Sequence, residues 1–139
     1  MNRDPLLTVL RLRRMVLDDA SRELADCLRQ ETEAQQAVTG VETAIARETD
    51  VATSLSADDA VVEAFGVWLR RARQDLRAAV AVRQRAEMET TRSRAILAAA
   101  RAAAKAAEQL MAERKTAEQV AVARREQAVL DEIGGNPRR

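Results

Sequence analysis

An apolar repeat of seven residues constrains this sequence more than any other feature. From Leu6 onward, two columns of residues recur at every seventh position, and the columns are three positions apart. The first column contains Leu10, Leu17, Leu24, Glu31, Val38, Ile45 and Ala52, and the second contains Leu6, Arg13, Ala20, Cys27, Ala34, Val41, Glu48 and Leu55. All of these residues except Arg13, Glu31 and Glu48 are apolar. A mean spacing of 3.5 residues predicts a helix that packs one face on another helix, as in a coiled coil.

The same repeat returns in the second half of the chain. Its first column contains Val62, Leu69, Leu76, Arg83, Thr90, Leu97, Ala104 and Met111, and its second contains Phe65, Ala72, Ala79, Ala86, Ser93, Ala100 and Ala107. Because almost every residue of the second column is Ala or Ser, two helix backbones can approach closely there. After Met111 the pattern shifts by about four residues, to Val122, Val129 and Ile133. A shift of this kind locally unwinds a supercoil.

The start, the reversal and the end of the helical pattern carry their own signals. Asp4 before Pro5 is typical of a helix start, and no other proline precedes Pro137. Ser56 followed three residues later by Asp59 resembles a capping box, which places the chain reversal at residues 53–60. We therefore predict an all-α fold, a long antiparallel two-helix coiled-coil hairpin with an overhanging second helix. The predicted parts are a first helix over 5–53, a turn over 54–60, a second helix over 61–133 and a flexible tail over 134–139.

The predicted helices are unequal in length. If the chain reverses near residue 56, Leu6 lies opposite residue 106, and roughly 25 residues of the second helix have no partner within the chain. This overhang keeps apolar residues, which favours a binding partner for it: Leu110, Met111, Val120, Val122, Val129, Leu130 and Ile133. A solvated helix that is stabilised by local charge pairs is the alternative.

Composition excludes most catalytic chemistry. There is no His and only one Cys, so His-based triads, Cys–His pairs and the usual zinc sites are excluded. The carboxylate pairs at residues 18–19 and 58–59 point about 100° apart on a helix and cannot act on one ligand. The 21 Arg are interleaved with acids, and the formal net charge is only +1. We predict no enzymatic activity, cofactor, metal, nucleic acid or small-molecule ligand.

The single Cys and the apolar content also bear on location. Cys27 falls in a core column and is expected to be a buried, unreactive thiol, because a lone Cys forms no intramolecular disulfide. No apolar run is long enough for a signal peptide or a membrane span. The sequence therefore predicts a cytoplasmic protein.

The only two large aromatic residues follow the predicted reversal. Phe65 occupies a core column, whereas Trp68 lies one position outside the columns. An off-core Trp beside a turn either covers the end of the hairpin or is exposed as an anchor for a partner. The sequence leaves both interpretations open.

Three segments resemble the FliJ family of flagellar type III export and its YscO-like relatives in virulence secretion. They are LLTVL at 6–10 with LDDASR at 17–22, FGVWL at 65–69, and QAVLDEI at 127–133. The resemblance implies a non-enzymatic central stalk of two coiled helices. Its implied partners are the hexameric export ATPase, the export gate membrane protein at the cytoplasmic face of the inner membrane, and export chaperones.

The resemblance also implies two sets of binding residues. Val41, Trp68 and Ala72 match the surface that contacts the gate, although Ala44 and Glu48 stand where the family has aromatic residues. For the ATPase we select residues of the two chain ends: Leu6, Leu10, Arg11, Arg14, Arg124, Arg125, Asp131 and Glu132. Two alternatives stay open, a scaffold that self-associates through its overhang and an Arg-rich nucleic-acid-binding protein. Whether the export system is flagellar or injective is also open at this stage.

Overall fold

The computed structural model describes residues 4–54 and 56–135, and two helices contain 95% of them. Helix α1 spans Pro5–Ala52 and helix α2 spans Asp59–Gly134, with no strand in the described part of the chain. The predicted all-α fold of two helices in a hairpin is confirmed. Helix α2 begins two residues before the predicted start and includes Gly134 of the predicted tail, of which residues 136–139 lie outside the described residues.

Both helices begin at an aspartate that caps free backbone N–H groups. At α1, the Leu6 amide donates to Asp4 Oδ1 at 3.0 Å, as the Asp4-Pro5 sequence predicts. At α2, the Val61 amide donates to Asp58 Oδ1 at 2.9 Å. The predicted capping box at Ser56 is therefore wrong: the cap of α2 is Asp58, and the Ser56 hydroxyl instead contacts that of Ser54 at 3.2 Å.

The chain divides into two compact units, each made of one stretch from either helix. The first comprises Met1–Asp19 and Ala98–Arg139, and the second is Ala20–Leu97. The second unit contains the chain reversal, where the Ala57 amide donates to the Ser54 carbonyl oxygen at 3.1 Å. Its core lies in the predicted columns, since buried side chains include Ala34, Val38 and Ala72.

Side chains in the core of the second unit are mostly small, and several are polar. The buried residues there include Cys27, as predicted, and also Thr90 and Ser93. The Arg83 side chain is only partly buried; its Nη1 donates to Gln35 Oε1 at 3.4 Å, and its Nε lies 3.5 Å from Glu87 Oε1. Glu48 belongs to a core column but is exposed, because a charged side chain avoids the cost of desolvation by turning outward.

The register of the first unit follows from two contacts between α1 and α2. Asp4 Oδ1 lies 2.6 Å from Arg114 Nη1, and Arg14 Nη2 lies 3.5 Å from Glu108 Oε1. Leu6 therefore lies several residues further along α2 than residue 106, and the predicted register was wrong. The reversal itself lies near residue 56, between Ala52 and Asp59, so the position of the turn does not by itself give the register. Buried residues of this unit include Leu10, Ala104 and Ala107, whereas Arg13 of the second column is exposed.

The end of α2 depends on a small residue. The Gly135 amide donates to the Asp131 carbonyl oxygen at 2.7 Å, and a Cβ at Gly135 would lie only 2.7 Å from that same oxygen. A larger residue there would clash with the backbone of the last turn. Within the described range, neither helix contains a stretch apolar enough to span a lipid bilayer.

Candidate functional site

The part of α2 after its last ion pair with α1 is the first candidate surface. Within the described residues, the hydrogen bonds and ion pairs of this C-terminal segment, residues 115–134, all join it to other parts of α2. Every residue in it is exposed except Ala121, which is half-buried. Its large apolar side chains are therefore open to solvent: Val120, Val122, Val129, Leu130 and Ile133.

Some of these side chains continue the face of α2 that packs on α1. Eighteen residues make five turns of an α-helix, so residues separated by eighteen positions point in the same direction. Val122 thus shares the direction of buried Ala104, and Val129 shares that of half-buried Met111. Ile133, four residues after Val129, lies close to the same line and is 72% exposed. The packing face of α2 extends beyond the region that α1 covers.

The structure separates the residues that were predicted to contact the ATPase. Leu10 is buried and Leu6 half-buried, so both serve the packing of α1 on α2. Arg11 and Arg14 are exposed, and Arg14 pairs with Glu108. The other four are exposed on the C-terminal segment: Arg124, Arg125, Asp131 and Glu132. The eight residues belong to the same unit, but α1 starts beside Arg114, about ten residues before Arg124 on α2.

The second candidate surface is a groove in the second unit, beside Trp68. It encloses a cavity of about 290 Å³. The residues that line it come from both helices: Ala37, Gly40, Val41, Ala44, Trp68, Arg71, Ala72 and Asp75. The structure therefore brings together Val41, Trp68 and Ala72, the three residues that were selected for the gate. Ala72 is buried, whereas Val41 and Trp68 are half-buried and leave apolar surface that a partner could touch.

Trp68 is neither fully buried nor fully exposed. Its ring stacks on that of Phe65, with centroids 6.1 Å apart and an angle of 25° between the planes. On that side it lines a second cavity of about 290 Å³ together with Glu48, Val51, Ala52, Val61, Ala64 and Phe65. Trp68 therefore packs on Phe65 near the reversal and also lines the groove, and its role as an anchor for a partner stays a prediction.

Sequence reasoning missed several residues of this groove. Gly40 presents no side chain, and nothing lies within 4 Å of the position that its Cβ would occupy. Arg71 and Asp75 are spaced by four residues and give the groove a charged rim. The sequence predicts that Arg71 and Asp75 lie on a helix. That they line the same groove as Gly40 depends on the register of α1 against α2, which the sequence does not give.

The ion pair between Asp4 and Arg114 perturbs the electrostatics at the start of α1. The hydrogen bond from Arg114 lowers the pKa of the Asp4 carboxyl below its usual value, and the same bond raises the pKa of Arg114. Among the described residues, no group of three or more acidic or cysteine side chains could hold a metal ion. The candidate surfaces are suited to binding other proteins, since they combine exposed apolar side chains with charged rims.

Comparison with known proteins identifies the family. The model of the flagellar FliJ protein family matches residues 1–136, nearly the whole chain. The chain belongs to the FliJ family. No curated protein and no solved structure matches it. Of the two kinds of export system that the sequence left open, the FliJ match favours the flagellar one.

Membership of the FliJ family fixes the general role of the chain. FliJ proteins are non-catalytic components of the flagellar protein export apparatus. The helical coiled-coil architecture of the two units agrees with this assignment. The family resemblance that was inferred from three short segments is thereby confirmed.

Proposed function

We propose that this FliJ-family chain is the stalk of the export ATPase: it binds the ATPase hexamer through the first unit and couples it to the export gate through the second. The observation that carries the proposal is the C-terminal segment. It displays apolar side chains on the packing face of α2, yet α1 does not cover them. An exposed row of this kind marks a site for another protein.

The charges of the C-terminal segment fit contact with a ring of subunits. Arg124 and Arg125 are followed within eight positions by Asp131 and Glu132, and all four side chains are exposed. Charge pairs at a solvated surface contribute little binding energy, typically below about 1 kcal/mol each. Mixed charges around a short apolar row thus favour a contact that can form and break with each subunit in turn.

The groove of the second unit is the proposed gate contact. Val41 and Trp68 provide a shallow apolar surface, and Arg71 and Asp75 provide a charged rim. Buried Trp anchors within a polar rim are common at protein interfaces. Through this contact, the protein would be held peripherally at the cytoplasmic face of the inner membrane. Export chaperones are further proposed partners, with no site assigned to them.

The ATPase contact can be tested by hydrolysis assays with the cognate export ATPase. We expect the intact chain to raise the hydrolysis rate several-fold, and a chain that ends at Arg114 to leave it unchanged. The double variant V122D/V129D should behave like the truncated chain, because it places two carboxylates in the apolar row. V82D is the matched control, since Val82 is similarly exposed but lies in the second unit. No effect of the intact chain on hydrolysis or hexamer assembly would refute the proposed function.

The gate contact needs a separate measurement. Binding of the chain to the cytoplasmic domain of the gate protein can be followed by calorimetry. We expect Trp68→Ala and Val41→Asp each to weaken it at least tenfold, and Val67→Ala, at an exposed neighbouring position, to leave it unchanged. If the two groove variants bind as tightly as Val67→Ala, the groove is not the gate contact.

A further inference from the structure

The side of α2 that faces away from α1 is basic in the second unit. If the first column of α2, which includes Leu69, Leu76 and Thr90, is heptad position a, then positions b, c and f point away from α1. Between residues 70 and 95, every residue at these three positions is exposed. None of them is acidic, and five are Arg: Arg70, Arg71, Arg77, Arg85 and Arg92. We name the surface formed by positions b, c and f of residues 70–95 the basic face.

The acidic side chains of α2 in the same stretch lie on its flanks. Asp75 and Glu89 occupy heptad position g, and Glu87 occupies position e, so all three lie beside α1. Each of them lines a groove to which α1 also contributes side chains. Charge on this part of α2 is therefore sorted by direction, because the outward side holds Arg alone and the acids lie next to α1.

The outward side of α1 is not sorted in this way. With Val38 at position a, positions b, c and f of α1 in the second unit hold three Arg and three acids, which nearly cancel: Arg22, Asp26, Arg29, Glu33, Arg47 and Asp50. The ion pairs of the described part of this unit include Arg29 with Asp26 and Arg83 with Glu87, and the five Arg of the basic face take part in neither. The second unit thus has one basic side and one electrically balanced side.

The shape of the basic face limits what it can bind. It follows one side of a continuous helix from residue 70 to residue 92, a length of about 33 Å, and its positions hold no aromatic side chain that could stack on a base. A nucleic-acid groove or a protein cleft would also enclose the flanks and would there meet Asp75, Glu87 and Glu89. A flat surface touches the outward residues alone. The sorting of charge therefore favours a flat anionic surface, which a bilayer of anionic lipids provides.

One large apolar side chain lies in the middle of the basic face. Met88 occupies position f, three residues after Arg85 and four before Arg92, and it is 63% exposed. A flexible Met side chain can enter the boundary between headgroups and acyl chains while the neighbouring Arg bind phosphate. Because a single Met offers little apolar area, attraction between charges must supply most of the binding.

We propose that the second unit binds anionic phospholipid directly, with α2 lying flat on the membrane and the basic face on the headgroups. The planar guanidinium of Arg suits this role because it can donate to two phosphate oxygens at once. The inference deepens the proposed function, since it rests on the proposed location beside the gate and gives the second unit its own contact with lipid. Arg71 joins the two surfaces, because it belongs to the basic face and also lines the groove proposed for the gate.

Sedimentation of the intact chain with lipid vesicles tests the inference. We expect the chain to bind vesicles that contain phosphatidylglycerol and not vesicles of pure phosphatidylcholine. High salt should abolish the binding, because the surface potential falls off within a Debye length, about 8 Å at physiological ionic strength. Neither the ATPase nor the gate protein is present. A chain that fails to bind phosphatidylglycerol vesicles at low salt would therefore refute the inference and leave the proposed function standing.

Two double variants with the same loss of charge locate the contact. R77Q/R85Q should lower the partition coefficient about 25-fold, because each Arg near an anionic leaflet contributes about fivefold. R29Q/R47Q removes the same charge from the outward side of α1 and should lower it less than about twofold. All four side chains are exposed, so helicity measured by circular dichroism should stay the same. Equal losses in both variants would mean that binding follows net charge alone, and the basic face would not be the site.

A fluorescent label tests which side of the unit lies on the membrane. In a Cys27→Ala background, an environment-sensitive dye is attached to Met88→Cys or, as the matched control, to Gln36→Cys at position f of α1. We expect phosphatidylglycerol vesicles to shift the emission of the dye at position 88 to shorter wavelength and to leave that at position 36 unchanged. A shift at position 36 alone would contradict the proposed orientation.

Other anionic partners of the basic face would give different outcomes with the same proteins. If the intact chain binds a DNA duplex but no vesicles, and R77Q/R85Q loses that binding, the face is a nucleic-acid site and the inference is wrong. If vesicles are not bound and R77Q/R85Q weakens binding to the cytoplasmic domain of the gate protein, the face contacts an acidic protein surface instead of lipid.

Discussion

The hydroxyl of Thr90 on α2 donates a hydrogen bond to the backbone carbonyl oxygen of Cys27 on α1, at 3.4 Å. It also lies 3.0 Å from the carbonyl oxygen of Ala86, one turn earlier in α2. Thr90 is only 1% exposed, so water cannot replace either acceptor. Because the nearer acceptor belongs to α2 itself, the hydroxyl is satisfied within its own helix, and the contact with Cys27 shows which residues of the two helices lie side by side.

Thr90→Val should change stability little. The substitution keeps the branched shape and removes the hydroxyl, and both carbonyl oxygens still accept a backbone N–H in their own helix. We expect the free energy of unfolding in urea to change by less than about 1 kcal/mol. Thr90→Asp, which buries a carboxylate, should cost more than about 2 kcal/mol. Equal losses in both variants would mean that the hydroxyl itself is a main source of stability.

Val38 is the fully buried aliphatic residue of the second unit, with 0% of its surface exposed. Val38→Ala removes two methyl groups from between the helices and should lower the free energy of unfolding by about 2 kcal/mol. Val82→Ala, the same change at an exposed position, should stay within about 0.5 kcal/mol of the native chain. The difference can be measured by urea denaturation followed by circular dichroism.

The Asp58 cap should matter more than the aspartate next to it. Asp58→Ala removes the acceptor of the Val61 amide at 2.9 Å and should lower the free energy of unfolding by about 1 kcal/mol. Asp58→Asn keeps an acceptor and should retain most of the stability. Asp59→Ala loses only an interaction with the helix dipole, so its expected loss is smaller. A larger loss at Asp59 than at Asp58 would contradict the assigned cap.

The elements of the fold could be predicted because helix length and packing face depend on local pattern. The columns through Val38 and Thr90 identify buried positions without knowledge of the partner helix. Register could not be predicted, because a reversal near residue 56 does not determine which residues of α1 and α2 lie side by side. The cap lies at Asp58 instead of Ser56, and both residues are suitable caps by type.

The two candidate surfaces also differ in how much of each could be predicted from the sequence. The exposed row that includes Val122 and Val129 could be predicted, because the second helix is longer than the first and its apolar residues continue past the end of that partner. The groove could be predicted only in part, because Gly40 and Asp75 meet only when both helices are in register. The burial of Trp68 depends on the ring of Phe65, and no single position in the sequence determines how two rings stack.

The stacked pair of Phe65 and Trp68 should be visible by fluorescence, because Trp68 is the single tryptophan of the chain. Phe65→Leu removes the ring whose centroid lies 6.1 Å away and should let more water reach the indole, which shifts its emission to longer wavelength. Val67→Ala, at the exposed neighbouring position, should leave the emission unchanged. An unshifted spectrum for Phe65→Leu would show that the stacking does not shield Trp68.

The ion pair of Asp4 with Arg114 predicts a dependence on pH. The hydrogen bond from Arg114 holds the pKa of folded Asp4 below its ordinary value of 3.8. A carboxyl whose pKa is lower in the folded state contributes stability that is present above the ordinary value and lost as the pH falls through the lowered one. An NMR titration of the Asp4 carboxyl carbon should therefore have its midpoint below 3.8 in the native chain.

Arg114→Gln should move that midpoint upward, because it removes the strongest cause of the shift. The Leu6 amide, which donates to the same carboxylate at 3.0 Å, still opposes this upward move, whereas desolvation of the carboxyl adds to it. Arg11→Gln is the matched control, because Arg11 belongs to the same unit but does not contribute to the shift in the pKa of Asp4. If Arg114→Gln and Arg11→Gln give the same midpoint as the native chain, the ion pair does not persist in solution, and the capping bond alone holds the start of α1.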